Sequence, residues 1–361
     1  MQKKKIAVLF GGCSAEYRVS CVSAFSVIQN LPKEKYEIVP VGITQDGRWM
    51  LYRGPADAIP GGKWERDPAN LPALLSPDRG TAGLVVAQAG GLRTEKIDCV
   101  FPVLHGRNGE DGTIQGLLEL SGLPFVGCGT LSSAVCMDKA ITHALLANAG
   151  IAGAKYLWFY GNKYPGGREK IKIKVGARLG YPVFVKPANS GSSVGITKVM
   201  REEELDAAVE AAMKESDKIL IEEAVVGQEV ECAVLGNLSP KASDVVGEIV
   251  AAATFYDYDD KYKSGKATLN IPAHLDADVA EEIRSKAVYA FRMLGCRGLA
   301  RVDFFVRGGK EVLLNELNTI PGFTPISMYP KLWEASGVSY PELLDRLVGL
   351  AFEKDANTYK K

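Results

Sequence analysis

Histidine is scarce, at three residues (His105, His143, His274), and the seven cysteines are scattered with no Cys-x-x-Cys pair. That combination argues against a zinc site or a disulfide framework and predicts reduced thiols in a cytoplasmic setting. An excess of either charge is also lacking, with 43 Lys and Arg against 43 Asp and Glu. Proteins that hold nucleic acid by neutralising phosphates show a basic surplus, so nucleic acid is not an expected partner. No apolar run in the sequence approaches the ~18 residues needed to span a bilayer, so no membrane partner is expected either. The apolar run Ile6–Phe10 stops at Gly11-Gly12, too short for the core of a secretory signal. Two common nucleotide signatures are missing: the Walker G-x-x-x-x-G-K-[ST] loop and a G-x-G-x-x-G that opens a helix.

What is present is glycine, 38 of 361 residues, against about 7% on average. Without a collagen-like period, this excess means tight loops and close backbone approaches. Hydrophobic residues at 47% and charged residues at 24% fit a soluble globular chain. The length fits two or three compact units.

The pattern along the chain begins with a buried strand at 5–10, a helix from about Glu16 to Asn30, and a strand at Tyr36–Thr44. A strand at Asp98–Leu104 ends at His105-Gly106, and one helix is expected over Thr130–Asn148. Alternating strands and helices predict a mainly parallel, doubly wound first domain, with Tyr52–Gln88 an irregular insertion. The pattern changes near residue 130. Val183–Lys186 and Val194–Val199 read as strands joined by a hairpin-like loop, and Gly298–Val306 pairs with Glu311–Glu316 around Arg307–Lys310.

Several groups in this pattern suit phosphate and metal chemistry. Asn189-Ser-Gly-Ser-Ser-Val-Gly195 follows Lys186; its glycines let backbone N–H groups approach phosphate oxygens, although a flexible hairpin turn explains it equally well. Arg301-Val-Asp303 and Glu316-Leu-Asn318 have period-2 spacing, so each pair shares a strand face. With the turn at Arg307–Lys310, Arg301 is expected opposite Glu316. Asp303, Glu316 and Asn318 offer the hard oxygen ligands that Mg²⁺ prefers; a surface ladder of charges is the alternative. Pro321-Gly322 marks a tight turn whose amide would suit a developing oxyanion. Phe255–Tyr262 reads as either a loop over a site or an ordinary surface loop. Glu222–Val225 with Glu229 reads as a hinge beside adenine and ribose, or as a solvated acidic edge. His105 sits at the carboxyl edge of a strand, where open α/β sheets bind ligands.

Taken together these residues resemble the D-alanine–D-alanine ligases of the ATP-grasp superfamily. The resemblance covers almost the whole chain. It rests on Gly11–Glu16, Leu104–Thr113, Met137-Asp-Lys139, Val185–Gly195, Phe255–Tyr262, Arg301-Val-Asp303 and Glu316–Phe323.

The resemblance implies a mixed α/β and α+β fold of three-domain ATP-grasp type. Its parts are a doubly wound N-terminal substrate domain (1–132), a central subdomain with the Ser/Gly phosphate loop (133–224) and a C-terminal subdomain with metal and catalytic residues (225–361). It implies that Lys139, Lys186, Ser192, Ser193 and Lys261 meet ATP phosphates, and that Glu222, Val225 and Glu229 line the adenine and ribose site. Two Mg²⁺, with Mn²⁺ as a substitute, are expected on Asp303, Glu316 and Asn318. Glu16 is expected to hold the ammonium of the first D-alanine, with His105 near its carboxylate and Ser192 and Tyr262 joining Glu16. Arg301 and the Gly322 amide are expected to stabilise a tetrahedral oxyanion, and Ser327 to bind the second D-alanine.

The implied reaction forms an acyl phosphate and then a dipeptide for peptidoglycan precursors, in a cytoplasmic homodimer. The alternatives are a D-alanine–D-serine ligase and a non-catalytic ATP-binding relative. Tyr17, Arg18 and Glu223 depart from the residues common in relatives at those places.

Overall fold

The computed structural model describes residues 2–191, 194–250 and 268–358, with side chains to 353, and counts of elements refer to those residues. The chain opens with β1 (Lys4–Gly11), α1 (Tyr17–Asn30), β2 (Tyr36–Ile43) and β3 (Trp49–Leu51). It continues through β4 (Leu71–Leu75), β5 (Gly83–Gln88), β6 (Gly91–Lys96), β7 (Cys99–Pro102) and α2 (Thr113–Ser121). These strands form a seven-stranded sheet in the order β6-β5-β4-β3-β2-β1-β7. The alternation of β1 decides its two faces. Ile6, Val8 and Phe10 pack toward α1, while Ala7 and Leu9 pack toward Ile114 and Leu118 of α2.

The parallel core expected from the sequence is confined to β2, β1 and β7, with one parallel bridge from Val100 to Phe125. Residues 52–88 are not an irregular insertion. They contain β4 and β5, which with β3 and β6 extend the sheet by antiparallel pairing. The Pro and Gly in this segment punctuate short strands and two single 3₁₀ turns. One of those turns buries Trp64 so tightly that a Cβ at Gly42 would come within 2.2 Å of its ring.

The middle of the chain is α3 (Thr130–Met137), α4 (Lys139–Asn148), β8 (Tyr156–Tyr160), α5 (Tyr164–Arg178), β9 (Val183–Pro187), β10 (Thr197–Val199), α6 (Leu205–Met213) and β11 (Lys218–Glu223). The single helix expected over 130–148 is two helices. Asp138 turns extended (φ −88, ψ 96) and accepts the Ile141 N–H at 3.1 Å, capping α4. The expected hairpin of β9 and β10 is present and lies in a four-stranded sheet, β10-β9-β11-β8.

The last part is β12 (Gly227–Gly236), β13 (Lys241–Ala242), β14 (Gly247–Val250), β15 (Thr268–Asn270), α7 (Ala277–Met293), β16 (Gly298–Arg307), β17 (Glu311–Asn318), α8 (Met328–Ala335) and α9 (Tyr340–Thr358). The third sheet buries Val230, Cys232, Val234, Ala300, Val302, Phe304 and Val312 against α7. The alternate residues of β12 and β16 therefore face away from α7, and Glu231, Arg301 and Asp303 are among them.

The register of β16 and β17 differs from expectation. Asp303, not Arg301, opposes Glu316, and Arg301 opposes Asn318. A bulge is the reason. Phe304 pairs with Leu314 and Asp303 with Glu316, so Asn315 is the extra residue. It reverses the alternation of β17, keeping Leu314 on the α7 side while turning Glu316 and Asn318 to the side of Asp303. Among the described residues no helix is long and apolar enough to cross a membrane.

Candidate active site

A cavity of about 470 Å³ lies where the first sheet, α3–α4 and the third sheet meet. Glu16 and His105 line it from the first part of the chain; Arg301, Asp303, Glu316, Asn318, Gly322 and Ser327 line it from the last part. These eight expected site residues, far apart in sequence, are thus brought together.

The third-sheet wall is an ionic cluster. Arg301 grips Asp303 with two hydrogen bonds, Nε to Oδ1 at 2.8 Å and Nη2 to Oδ2 at 2.7 Å. Its Nε also lies 3.0 Å from Glu231 Oε2. Burial works against the Arg301 charge, but Asp303 and Glu231 outweigh it and hold the guanidinium pKa well above its usual range. Asn318 Nδ2 donates to Asp303 Oδ2 at 2.9 Å, and Lys139 Nζ lies 3.1 Å from Glu316 Oε2. Burial likewise opposes the Lys139 ammonium, and Glu316 overrides it.

Asp303, Glu316 and the Asn318 amide present two carboxylates and one carbonyl oxygen on one face. That donor set fits Mg²⁺, which takes its remaining positions from water and phosphate. Among the described residues no cluster of three or more His, Cys, Asp or Glu is placed to hold a metal by itself.

The opposite wall is built by α1 and the turn after β7. Glu16, 7% exposed, sits between two glycine-containing loops. A Cβ at Gly106 would lie 2.3 Å from its Oε2, and one at Gly191 3.0 Å away. Gly106 is favoured by its φ of +70, and a side chain there would displace the Glu16 carboxylate.

His105 is spent on structure within this wall. Its Nδ1 donates to the Ile320 carbonyl at 3.0 Å, so the neutral ring accepts from Ser23 Oγ at Nε2, 3.1 Å. Burial pushes its pKa down to about 4. The sequence reading missed Glu110, which lines the cavity and accepts the N–H groups of Gly106 (2.7 Å) and Ile320 (3.2 Å). Burial, then the charge of Glu16, raises the pKa of its carboxyl.

The turn after β17 is held at several points. The Phe323 N–H donates to Ser23 Oγ at 3.2 Å and Tyr340 Oη donates to the Phe323 carbonyl at 2.8 Å. Ser327 Oγ accepts the Thr324 N–H at 3.0 Å and would lie 2.6 Å from a Cβ at Gly322, so any larger residue there would have to turn the Ser327 hydroxyl away.

The expected nucleotide residues divide. Lys139 and Glu229 line the cavity. Lys139 also donates to the Ser190 carbonyl at 3.1 Å, at the start of the Ser/Gly loop. Lys186 lies beside the buried Glu222, Nζ to Oε2 2.5 Å, and His143 Nε2 donates to the other oxygen at 2.7 Å. Glu222 is therefore an ion-pair acceptor in the interior, and neither it, Lys186 nor Val225 is part of the cavity wall. Burial disfavours its charge, yet Lys186 and His143 hold its pKa below the usual carboxylate range. A second cavity, about 510 Å³, opens beside His143 and Tyr156, whose rings stack at 5.0 Å. Glu223 is bound to Arg307 at 2.8 Å. Tyr17 donates to Glu65 at 2.5 Å and accepts from Trp64 at 2.9 Å. Ser192, Ser193, Lys261 and Tyr262, with the whole of Phe255–Tyr262, lie outside the described residues.

Comparison with known proteins shows the family. Residues 5–128 match a family model described as D-ala D-ala ligase N-terminus, and residues 145–349 match one described as D-ala D-ala ligase C-terminus. The D-alanine–D-alanine ligase of Thermoanaerobacter pseudethanolicus is 53% identical over 355 residues, covering 98% of each chain. That of Caldicellulosiruptor bescii is 49% identical, covering 98% of this chain and 97% of the other. Among solved structures, the VanG D-Ala:D-Ser ligase from Enterococcus faecalis superposes with a TM-score of 0.88 at 44% identity, covering 97% of this chain and 100% of that one. The D-alanine–D-alanine ligase from Coxiella burnetii gives 0.84 at 36% identity, covering 99% and 96%.

Proposed function

The chain belongs to the D-alanine–D-alanine ligase family, and from that premise we propose that it joins two D-alanine molecules at the expense of ATP. The observation that carries this reading is the cavity itself. A carboxylate on one wall (Glu16) faces an Arg–Asp–Glu–Asn cluster on the other, with Lys139 joined to Glu316.

Glu16 holds the ammonium of the first D-alanine and leaves its carboxylate directed into the cavity. That carboxylate attacks the γ-phosphorus of ATP; ADP leaves and an acyl phosphate forms. Lys139 holds phosphates and Glu229 the ribose from the cavity wall. Lys186, Ser192, Ser193 and Lys261 are further phosphate contacts, with Lys186 leaving Glu222 for phosphate, and Glu222 and Val225 lie beyond that wall on the adenine side. The amine of the second D-alanine, held at Ser327, then attacks the acyl carbon. Arg301 and the Gly322 N–H stabilise the oxyanion, and phosphate departs as the peptide bond forms. Little covalent chemistry falls to the protein; its work is positioning and charge stabilisation. Tyr262 and Ser192 join Glu16 in excluding water from the acyl phosphate.

Asp303, Glu316 and Asn318 would hold two Mg²⁺ ions, or Mn²⁺ in their place, which neutralise charge on the transferring phosphoryl group. We assign the enzyme to peptidoglycan precursor synthesis in the cytoplasm, acting as a homodimer. Its domains are 1–132, 133–224 and 225–361.

The test is ADP release in the presence of ATP, Mg²⁺ and D-alanine, with the product identified by mass. D-alanine-dependent release with D-alanyl-D-alanine formed is expected; no release would refute the reading. The similarity to the VanG D-Ala:D-Ser ligase favours a second reading, with D-serine as acceptor. With equal D-alanine and D-serine at neutral pH, a predominantly mixed dipeptide would select it.

A further inference from the structure

Three cationic side chains line the cavity among the described residues: Lys139, Arg301 and Lys331. Lys139 is committed to Glu316 at 3.1 Å. Arg301 is committed to Asp303 at 2.7 Å and Glu231 at 3.0 Å. Lys331 has no carboxylate within ion-pair distance among the described residues, although the same cavity is rich in acids. It is half-buried and projects from the first turn of α8, whose N-cap is Ser327, and both side chains line the same cavity.

That helix is fixed in place. Tyr329 Oη donates to the Val234 carbonyl at 3.0 Å, and Met328 packs so closely on Gly247 that a Cβ there would lie 2.4 Å from its sulfur. Ile249, Leu269, Ile326 and Met328 supply apolar lining to the same cavity. A cation next to apolar walls and a hydroxyl matches a small amino acid presented by its carboxylate and methyl group, with its amine left free.

The attacking D-alanine has that requirement. Its amine must reach the acyl phosphate unprotonated, so it must be gripped by its carboxylate. The other two cavity cations are neutralised by acids of the reacting centre. We propose that Lys331 binds the carboxylate of the second D-alanine beside Ser327. This rests on the ligase reading and adds a charge to a subsite for which the sequence suggested only a hydroxyl.

D-alaninamide gives a selective test. It has no carboxylate to phosphorylate, so it serves only as acceptor, and it carries no charge for Lys331 to hold. At a fixed mixture of D-alanine and D-alaninamide, mass spectrometry gives the ratio of D-alanyl-D-alanine to D-alanyl-D-alaninamide. Lys331→Met is expected to shift that ratio toward the amide by about 10- to 100-fold, the range for a hydrogen bond to a charged group. Lys331→Arg is expected to restore most of the preference, and the KM for ATP should stay within about 2-fold in both. Unfolding midpoints establish that each variant is folded; Lys331→Gln replaces Lys331→Met if the latter is not.

A ratio unmoved within 2-fold overturns the proposal. So does turnover in Lys331→Met that excess D-alanine fails to restore, because a carboxylate holder acts through acceptor affinity. A wild-type protein that forms no dipeptide refutes the ligase reading itself, whereas an active wild type with an unmoved ratio removes Lys331 alone.

Discussion

Lys186 and Glu222 form a buried ion pair across neighbouring antiparallel strands, Nζ to Oε2 2.5 Å, with the side chains 12% and 3% exposed. The lysine expected to meet ATP phosphate is therefore held by an internal acid, and His143 satisfies the second oxygen of that acid. Removing one partner of such a pair leaves a buried charge uncompensated, which costs about 3–5 kcal/mol. Glu222→Ala is expected to lower stability by that order in urea unfolding. Glu222→Gln, which keeps a hydrogen-bond acceptor, should lose less. Equal stability of Glu222→Ala and wild type would show that the pair contributes nothing.

The two peptide units that flank the Ile320 Cα are both held, the N–H of one by Glu110 at 3.2 Å and the carbonyl of the other by His105 at 3.0 Å. Gly322 stands two residues on. Glu110→Ala should let this turn drift and reduce kcat by about 10- to 100-fold, since small misplacements of catalytic groups cost rate on that scale. The KM for ATP should change little, and Glu110→Gln should recover part of the loss. A change confined to KM for ATP would place the effect elsewhere.

His105 should shape the acid limb of stability. Its folded pKa is depressed to about 4 by burial, while an unfolded histidine titrates near 6.5. Between those values the unfolded chain binds more protons, so stability rises with pH. The contribution is complete above about pH 6.5 and is lost as pH falls toward 4, amounting to about 3 kcal/mol. His105→Asn should remove this slope. Subtracting urea-unfolding curves of variant and wild type from pH 4 to 7 measures it; parallel curves would contradict the depressed pKa.

Glu316→Gln should abolish ADP release while lowering stability by only about 1 kcal/mol, because the amide retains a hydrogen-bonding oxygen for Lys139. Removing divalent cations with a chelator should stop wild-type turnover, and excess Mg²⁺ should restore it. Full activity in Glu316→Gln would remove this residue from the metal assignment.

Much of this site was legible because its residues lie on strands with simple alternation. The spacing of Arg301, Asp303, Glu316 and Asn318 announced one shared face, and Gly308-Gly309 announced the turn between them. Their partners were not legible. The extra residue at Asn315 carries no local signal; the bulge is set by the need to bury Leu314 and Leu317 together while Glu316 and Asn318 point away. The break at Asp138 escaped for a similar reason, since apolar periodicity continues on both sides of one capping carboxylate. Residues 52–88 read as an irregular insertion because prolines and glycines end strands as well as they mark coils. Glu110 lay inside a quoted motif, yet its role depends on Ile320, which is 210 residues away. His105 lines the cavity as expected, but the carbonyl that its Nδ1 binds is equally remote in sequence and was not legible.

The last helix packs on the first. Leu343, Leu344, Leu347 and Val348 of α9 share a core with Cys21, Ala24 and Val27 of α1, and Asp345 binds Lys35 and Tyr36 at 2.7 Å. This closure sets an order of assembly during synthesis. The outer face of α1 and the adjoining part of β7 stay open to water until the segment near residue 350 has left the ribosome, although every strand of the first sheet is made within the first 102 residues. A nascent chain halted near residue 335 should therefore expose that surface to chaperones and proteases, and the full-length chain should bury it in a single late step.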